Sequence, residues 1–129
     1  MGSKVVIMNS EKHDKIFSIT SHLPHLVAYN LVKSAQDFEK KQKYNLIKYS
    51  AGGLRDFSRI AASNEIMWRD IFLNNKEAVI EILDNFIDGL ADLKENIKTE
   101  NGNKLESLFI ETRNKRNKIL DSIKKLESK

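Results

Sequence analysis

Residues 76–98 read KEAVIEILDNFIDGLADLKENIK, and this stretch decides the fold class. Its apolar residues recur at alternating spacings of four and three, at Val79, Leu83, Phe86, Leu90, Leu93 and Ile97. This spacing places them on one stripe of a long α-helix that packs lengthwise on another helix. Asn74 or Asn75 can cap the helix, and residues 99–102 (TENG) interrupt it.

A second long helix is predicted after the interruption. Asn103, with Glu106 three residues later, resembles a capping box. An apolar stripe follows, formed by Leu105, Leu108, Ile119, Ile123 and Leu126. Two long helices joined by a short turn predict an antiparallel hairpin. Because a chain of 129 residues has few elements to cover two wide apolar faces, we also predict a homodimer.

The rest of the chain is helical in pattern as well. One proline and five glycines leave little room for a strand-and-turn fold. Asn9 or Ser10 can cap a helix that begins near Glu11, and Pro24 is expected to end or kink this helix near His22. Further helices are predicted over residues 26–41, 52–62 and 65–73, and residues 44–50 are either a short helix or a turn.

The only β-like run is residues 4–8, KVVIM, which stands alone at the start of the chain. A single strand cannot satisfy its own backbone hydrogen bonds. The predicted fold is therefore all-α: a helical bundle with a kinked N-terminal helix, a long C-terminal helical hairpin and a short N-terminal strand remnant.

Composition excludes several classes of protein. A hydrophobic content of 40% and a charged content of 31% are typical of a soluble globular protein, with no apolar run long enough for a membrane and no leader. The absence of cysteine rules out disulfides and thiolate metal sites and fits the cytoplasm. Residues 102–129 hold eight basic and four acidic residues, which accounts for the net charge of +4. Since the acids are interleaved and Phe109 is the only aromatic there, a solvated helix face is favoured over nucleic-acid binding.

Two segments carry residues suited to chemistry. In the first, His22 and His25 flank Pro24 and lie three residues apart. Such histidines often hydrogen-bond the free backbone groups of a helix end. A metal site is disfavoured, because there are three histidines, no cysteine and no carboxylate at a ligand spacing. The better functional use of His22 and His25 is contact with a polar substrate.

In the second segment, Gly52-Gly53 precede a helical turn that carries Arg55, Asp56 and Arg59. Glycines before a helix let a ligand approach the backbone, and the first helical turn favours an anion. A guanidinium grips a carboxylate with two parallel hydrogen bonds, although an Asp and an Arg three residues apart also form ordinary surface pairs.

Three further residues leave alternatives open. Trp68, the only tryptophan, is favoured as a packing residue. His13 and Asp14 are either a surface pair or a pair that faces a site.

Taken together, these motifs resemble the C-terminal domain of the prephenate/arogenate (cyclohexadienyl) dehydrogenases. The matching segments are His13-Asp14, residues 21–25 (SHLPH), residues 52–61 (GGLRDFSRIA) and residues 67–71 (MWRDI). The family's order and spacing are kept from about residue 5 to at least residue 76. Leu54 and Ser58 stand where the family more often has phenylalanine and threonine.

The resemblance implies a role for each matched residue. Arg59 would grip a substrate carboxylate, and His25 and His22 would line the same pocket. Asp56 and Gly52 would shape it, while Trp68 would close it, from the same or a neighbouring subunit. His13 and Asp14 would lie where two domains meet.

The family oxidises prephenate or arogenate with NAD or NADP in tyrosine biosynthesis, and loss of carbon dioxide aromatises the ring. Its N-terminal Rossmann domain holds the cofactor and the catalytic base, so the resemblance implies no catalytic residue and no bound cofactor in this chain. Residues 1–9 would be a strand or linker from that missing domain, and residues 10–129 the helical substrate-binding and dimerisation domain.

We therefore expect the chain to be inactive by itself. The alternative is a stand-alone helical dimer that binds an aromatic amino or keto acid as a regulatory module.

Overall fold

The computed structural model describes residues 10–43 and 52–128, and every regular element in this part of the chain is helical. The α-helices are α1 (Ser10–Phe17), α2 (Leu23–Gln42), α3 (Gly52–Ser58), α4 (Glu65–Asn74), α5 (Lys76–Lys98) and α6 (Gly102–Glu127). The all-α prediction is confirmed. The strand predicted at residues 4–8 and the ambiguous segment 44–50 lie outside the described residues. None of the described helices is long and apolar enough to span a membrane.

The break predicted near His22 is a π-helical segment, Ser18–His22, that joins α1 to α2. Within it the backbone N–H of Leu23 donates to the carbonyl of Ser18, five residues back. Pro24 explains the wider turn, because it has no N–H to donate and its ring crowds the preceding turn. The chain therefore continues as a helix through the proline instead of ending there.

The chain divides into two compact units, residues 1–85 and 86–129. In the first unit α2 is the central element, with α3 and the 3-10 segment Arg59–Ala62 packed against it. The predicted single helix over 52–62 is thus an α-helix that tightens at Arg59. The hydroxyl of Tyr29 in α2 donates to the carbonyl of Ser63 at 3.1 Å, which ties the end of this segment to α2.

The second unit contains the predicted turn between the two long helices. The backbone N–H of Asn101 donates to the carbonyl of Asn96 at 2.8 Å, and that of Glu100 to Ile97 at 3.1 Å. Glu100 has a φ of 56°. This pattern is a Schellman motif with glutamate in the left-handed position that usually holds glycine. The side chain of Asn101 caps α6 by accepting from Lys104, so the capping box predicted at Asn103 is wrong.

Little of the chain's apolar surface is buried within a single copy. Among the described residues, the buried apolar side chains are Ala28, Trp68, Ala78 and Val79, and α6 buries none. The predicted stripe of α5 is buried at Val79 and half-buried at Leu83, Phe86 and Leu93, but it is open toward its C-terminal end, where Leu90 is 50% exposed and Ile97 63%. Exposed apolar residues continue along α6 at Leu108, Phe109, Ile119, Ile123 and Leu126. A surface of this kind needs a partner to cover it.

Candidate functional site

The imidazole of His25 stacks on the indole of Trp68. Their ring centroids are 3.6 Å apart and their planes differ by 22°. His25 is in the first turns of α2, and Trp68 is in α4, where Asn64 caps the helix by accepting from the Met67 N–H at 2.9 Å. The contact therefore joins two elements that are about forty residues apart in sequence, and it brings two of the predicted site residues together.

One hydrogen bond determines which nitrogen of His25 carries its proton. The Nδ1 atom lies 2.8 Å from the backbone carbonyl of Ser21. A carbonyl only accepts, so Nδ1–H is the donor, and Nε2 of the neutral ring keeps its lone pair. His25 thus has an acceptor nitrogen available for a ligand.

His22 lies against the same aromatic group. Its ring meets Trp68 edge-on at 6.1 Å and Phe72 edge-on at 6.4 Å, and the rings of Trp68 and Phe72 are 5.4 Å apart. Burial lowers the pKa of the His22 imidazole below its ordinary value of 6.5; the Asp14 carboxylate opposes this, and His25 adds to it. His22 is therefore neutral at neutral pH.

Trp68 is the best-buried large side chain of this cluster, with 7% of its surface exposed. This burial agrees with the interpretation of Trp68 as a packing residue. Its indole Nε1–H, however, is buried and has no hydrogen-bond partner among residues 10–43 and 52–128. Buried indole donors usually have a partner, so this N–H is a donor that a group outside the described residues can use.

The arginine segment lies close to α2, but its charges face solvent. Arg55 and Asp56 are 81% and 80% exposed, with Nε and Oδ1 3.9 Å apart, a weak surface pair. Arg59 is exposed and has no ion-pair partner among residues 10–43 and 52–128. It begins the 3-10 segment that packs against α2, the helix that carries His25.

Gly52 begins α3, as predicted. A Cβ built at Gly52 meets no atom within 4 Å, and its φ is not positive. Packing within the described chain therefore does not require glycine at this position. The predicted role of Gly52 and Asp56 in shaping a pocket stays a prediction.

His13 and Asp14 lie in α1 and are both about half exposed. The His13 Nδ1 is 3.6 Å from Asp14 Oδ1, and the His13 ring packs on Phe17 at 4.4 Å. The pair is on the surface of the described chain. Its predicted place at a domain interface is untested.

Asn75 and Phe72 also belong to this cluster, although no sequence motif marked them as site residues. Asn75 was expected only as a possible cap of α5. Instead its Nδ2 lies 3.2 Å from the carbonyl of Asp14 and 3.2 Å from Nδ1 of His22. The only sequence signal for Phe72 was its position four residues after Trp68, which places the two on one face of a helix.

A groove of about 430 Å³ lies between α1 and the α4–α5 junction. Asp14 and Asn75 line it, along with Glu11, Lys15, Lys76 and Glu81, whereas His22, His25 and Arg59 do not. Of the histidine–tryptophan cluster (His22, His25, Trp68, Phe72 and Asn75), Asn75 alone lines this groove. Within the described ranges, no three His, Asp or Glu side chains converge to hold a metal ion.

Comparison with known proteins places this arrangement in context. The family model described as "Prephenate dehydrogenase, dimerization domain" matches residues 9–112. The chain is 39% identical over 116 residues to the cyclohexadienyl dehydrogenase of Zymomonas mobilis subsp. mobilis, covering 90% of this chain and 40% of that protein. It is 38% identical over 105 residues to the prephenate dehydrogenase of Bacillus subtilis, covering 81% and 28%.

Solved structures agree with these sequence matches. The crystal structure of prephenate dehydrogenase from Aquifex aeolicus in complex with hydroxyphenyl propionate and NAD+ superposes with a TM-score of 0.81 at 44% identity. The match covers 87% of this chain and 39% of that one. The chain therefore spans two fifths or less of the length of these relatives.

Proposed function

The chain belongs to the family of prephenate dehydrogenase dimerization domains, and from this premise we propose that it is the substrate-binding and dimerisation portion of an NAD(P)-dependent prephenate or arogenate dehydrogenase. Such an enzyme acts in tyrosine biosynthesis in the cytoplasm. The observation that carries the proposal is the stack of His25 on Trp68, with His22 beside it and the Arg59 segment packed on the same helix.

Each of these residues has a role that suits a carboxylate-bearing ring. The exposed guanidinium of Arg59 grips a carboxylate through two parallel hydrogen bonds. The Nε2 lone pair of His25 accepts a hydrogen bond from a hydroxyl group, and the face of Trp68 sets one side of the pocket. Asp56 and Gly52 border the Arg59 turn. No ionised carboxylate pairs with Arg59 in the described residues, so the substrate has no internal competitor.

The reaction needs a second domain. A nicotinamide cofactor supplies the hydride acceptor in this class of chemistry. The described residues include no strand followed by a glycine-rich turn and a helix, which is the unit that binds a dinucleotide pyrophosphate. We propose that a Rossmann domain holds NAD or NADP and the catalytic base, and that His13 and Asp14 on the exposed face of α1 meet it.

A homodimer completes the proposal. The open stripes of α5 and α6, including Leu90, Ile97 and Ile123, are the surfaces that a second copy would cover. Sedimentation should give a dimer for the chain, and Ile123→Glu should shift it toward monomer, whereas Thr112→Glu, at another exposed position of α6, should not. A monomer at all concentrations would refute this part.

Catalysis is tested with the 129-residue chain and with the same chain joined to the part of the Zymomonas mobilis relative that this chain does not cover. We expect prephenate- or arogenate-dependent reduction of NAD or NADP only in the joined protein. Turnover by the chain alone would refute the assignment of the base to another domain.

Calorimetric titration with hydroxyphenyl propionate then tests the pocket. Binding should be tighter in the joined protein, because a pocket between domains needs both walls. Equally tight binding by the isolated chain would instead support the regulatory module.

A further inference from the structure

Asn75 occupies a fixed position between α4 and α5. Its backbone N–H donates to Ile71 at 3.1 Å, and its carbonyl accepts from Val79 at 3.0 Å. Both main-chain groups are thus used by the two helices that meet there. The side-chain amide lies within hydrogen-bond distance of Asp14 on α1 and of His22 in the π-helical segment.

The contacts of the Asn75 amide identify its nitrogen and the protonation of His22. The carbonyl of Asp14 only accepts, so the amide atom 3.2 Å from it is the NH₂ group. The same nitrogen is 3.2 Å from Nδ1 of His22. An NH₂ group has two hydrogens and donates one to each partner, so Nδ1 of His22 is the acceptor. The proton of the neutral ring is then on Nε2.

The two histidines of the cluster are therefore in opposite tautomers. His25 holds its proton on Nδ1, against the Ser21 carbonyl, and keeps Nε2 as an acceptor. His22 holds its proton on Nε2 and has a donor there. One donor and one acceptor suit a ligand with a carboxylate, which only accepts, and a hydroxyl group, which can donate.

We propose that Asn75 is a positioning residue: its amide holds His22 in the Nε2–H tautomer, so that His22 donates a hydrogen bond to the bound carboxylic acid. This inference deepens the proposed function and rests on it for the identity of the ligand. The groups that face His22 are the Asp14 carboxylate on α1, the His25 imidazole on α2 and the uncharged rings of Trp68 and Phe72 on α4.

The diagnostic substitution is Asn75→Asp, which keeps the size of the side chain and replaces the NH₂ donor by an acceptor. A carboxylate beside Nδ1 draws the proton to that nitrogen. We expect His22 to change to the Nδ1–H tautomer and its pKa to rise. Asn74→Asp is the matched control, because it adds the same charge one residue away on an exposed side chain.

The readout is a multiple-bond proton–nitrogen NMR spectrum of the full 129-residue chain with labelled histidine, recorded where the imidazoles are neutral. The chain has three histidines, so single substitutions assign the signals. Wild-type His22 should show the Nε2–H pattern. An Nδ1–H pattern in the wild-type chain would overturn the proposal even if Asn75→Asp failed to fold, as would an unchanged tautomer in a folded Asn75→Asp chain.

Ligand affinity separates this inference from the proposed function. With hydroxyphenyl propionate and the joined protein, Asn75→Asp should weaken binding about ten- to a hundredfold, since a hydrogen bond to a charged group is lost. Asn74→Asp should change it less than about twofold. Loss of the Nε2–H tautomer without loss of affinity would refute the role of Asn75, whereas absence of binding in the wild-type protein would refute the proposed function and leave the tautomer assignment intact.

Discussion

Replacing Trp68 tests whether the histidine–tryptophan cluster holds the first unit together. Trp68 is 7% exposed. Its ring centroid lies 3.6 Å from that of His25, on which it stacks, and 5.4 Å from that of Phe72. Trp68→Ala should lower the free energy of unfolding by about 3–5 kcal/mol, the usual cost of removing a buried large aromatic. Few other apolar side chains are buried, so a loss of this size approaches the whole stability of a small chain.

Trp68→Phe should cost much less. The indole Nε1–H has no partner in the described part of the chain, so phenylalanine removes no hydrogen bond that is seen there and relieves an unsatisfied buried donor. The smaller ring still faces His25 and Phe72. The net loss should stay under about 2 kcal/mol, because relief of the donor offsets part of the lost packing.

The assay is urea unfolding followed by far-ultraviolet circular dichroism, at one protomer concentration because dimerisation contributes to stability. Leu73→Ala is the control: this residue is on the same helix, but it is 67% exposed and should cost less than about 1 kcal/mol. Equal losses for Trp68→Ala and Trp68→Phe would show that the indole makes a hydrogen bond that matters. A Trp68→Ala loss no larger than that of Leu73→Ala would refute the cluster as the core of this unit.

Two further predictions concern pH and the turn. The lowered pKa of His22 means that the unfolded chain binds more protons below pH 6.5, so the free energy of unfolding should fall as pH drops from 6.5 through the folded-state pKa. His22→Gln should lack this part of the slope, and an identical pH profile for both chains would contradict it. Glu100→Gly should raise the free energy of unfolding by about 1 kcal/mol, because Glu100 adopts a φ of 56° that glycine adopts without strain. A thermal melt that shows destabilisation would refute the Schellman turn.

Sequence periodicity predicted the helices well because it reports local geometry. The four-and-three spacing in residues 76–98 requires one long helix, and α5 spans Lys76–Lys98. Pro24 located the irregularity near His22, although local rules alone do not distinguish an ended helix from a π-helical segment. The interruption predicted at residues 99–102 is present, but Glu100 carries no sequence signal for a left-handed residue, and Gly102 begins α6.

The site was predicted only in part, because its contacts are long-range. His22, His25 and Trp68 were named from motifs, and they do meet. Asn75 was not predicted as a site residue, because its partners His22 and Asp14 are 53 and 61 residues away in sequence. An asparagine directly before a helix is most simply interpreted as a cap. Arg59 and Asp56 were named as well, but their side chains face solvent, and the resemblance rather than any internal contact supports their role.

The kinetics of Arg59→Ala test whether Arg59 binds a carboxylate of the substrate, as we propose. The measurement uses the chain joined to the part of the Zymomonas mobilis relative that this chain does not cover. Arg69→Ala is the control, because Arg69 is an exposed arginine paired with Asp70 at 3.0 Å. Arg59 has no ion-pair partner in the described part of the chain, so its loss breaks no internal pair. Arg59→Ala should raise the KM for prephenate or arogenate at least about tenfold, while Arg69→Ala leaves it within about twofold. An unchanged KM and an unchanged turnover in Arg59→Ala would show that Arg59 does not bind the substrate carboxylate.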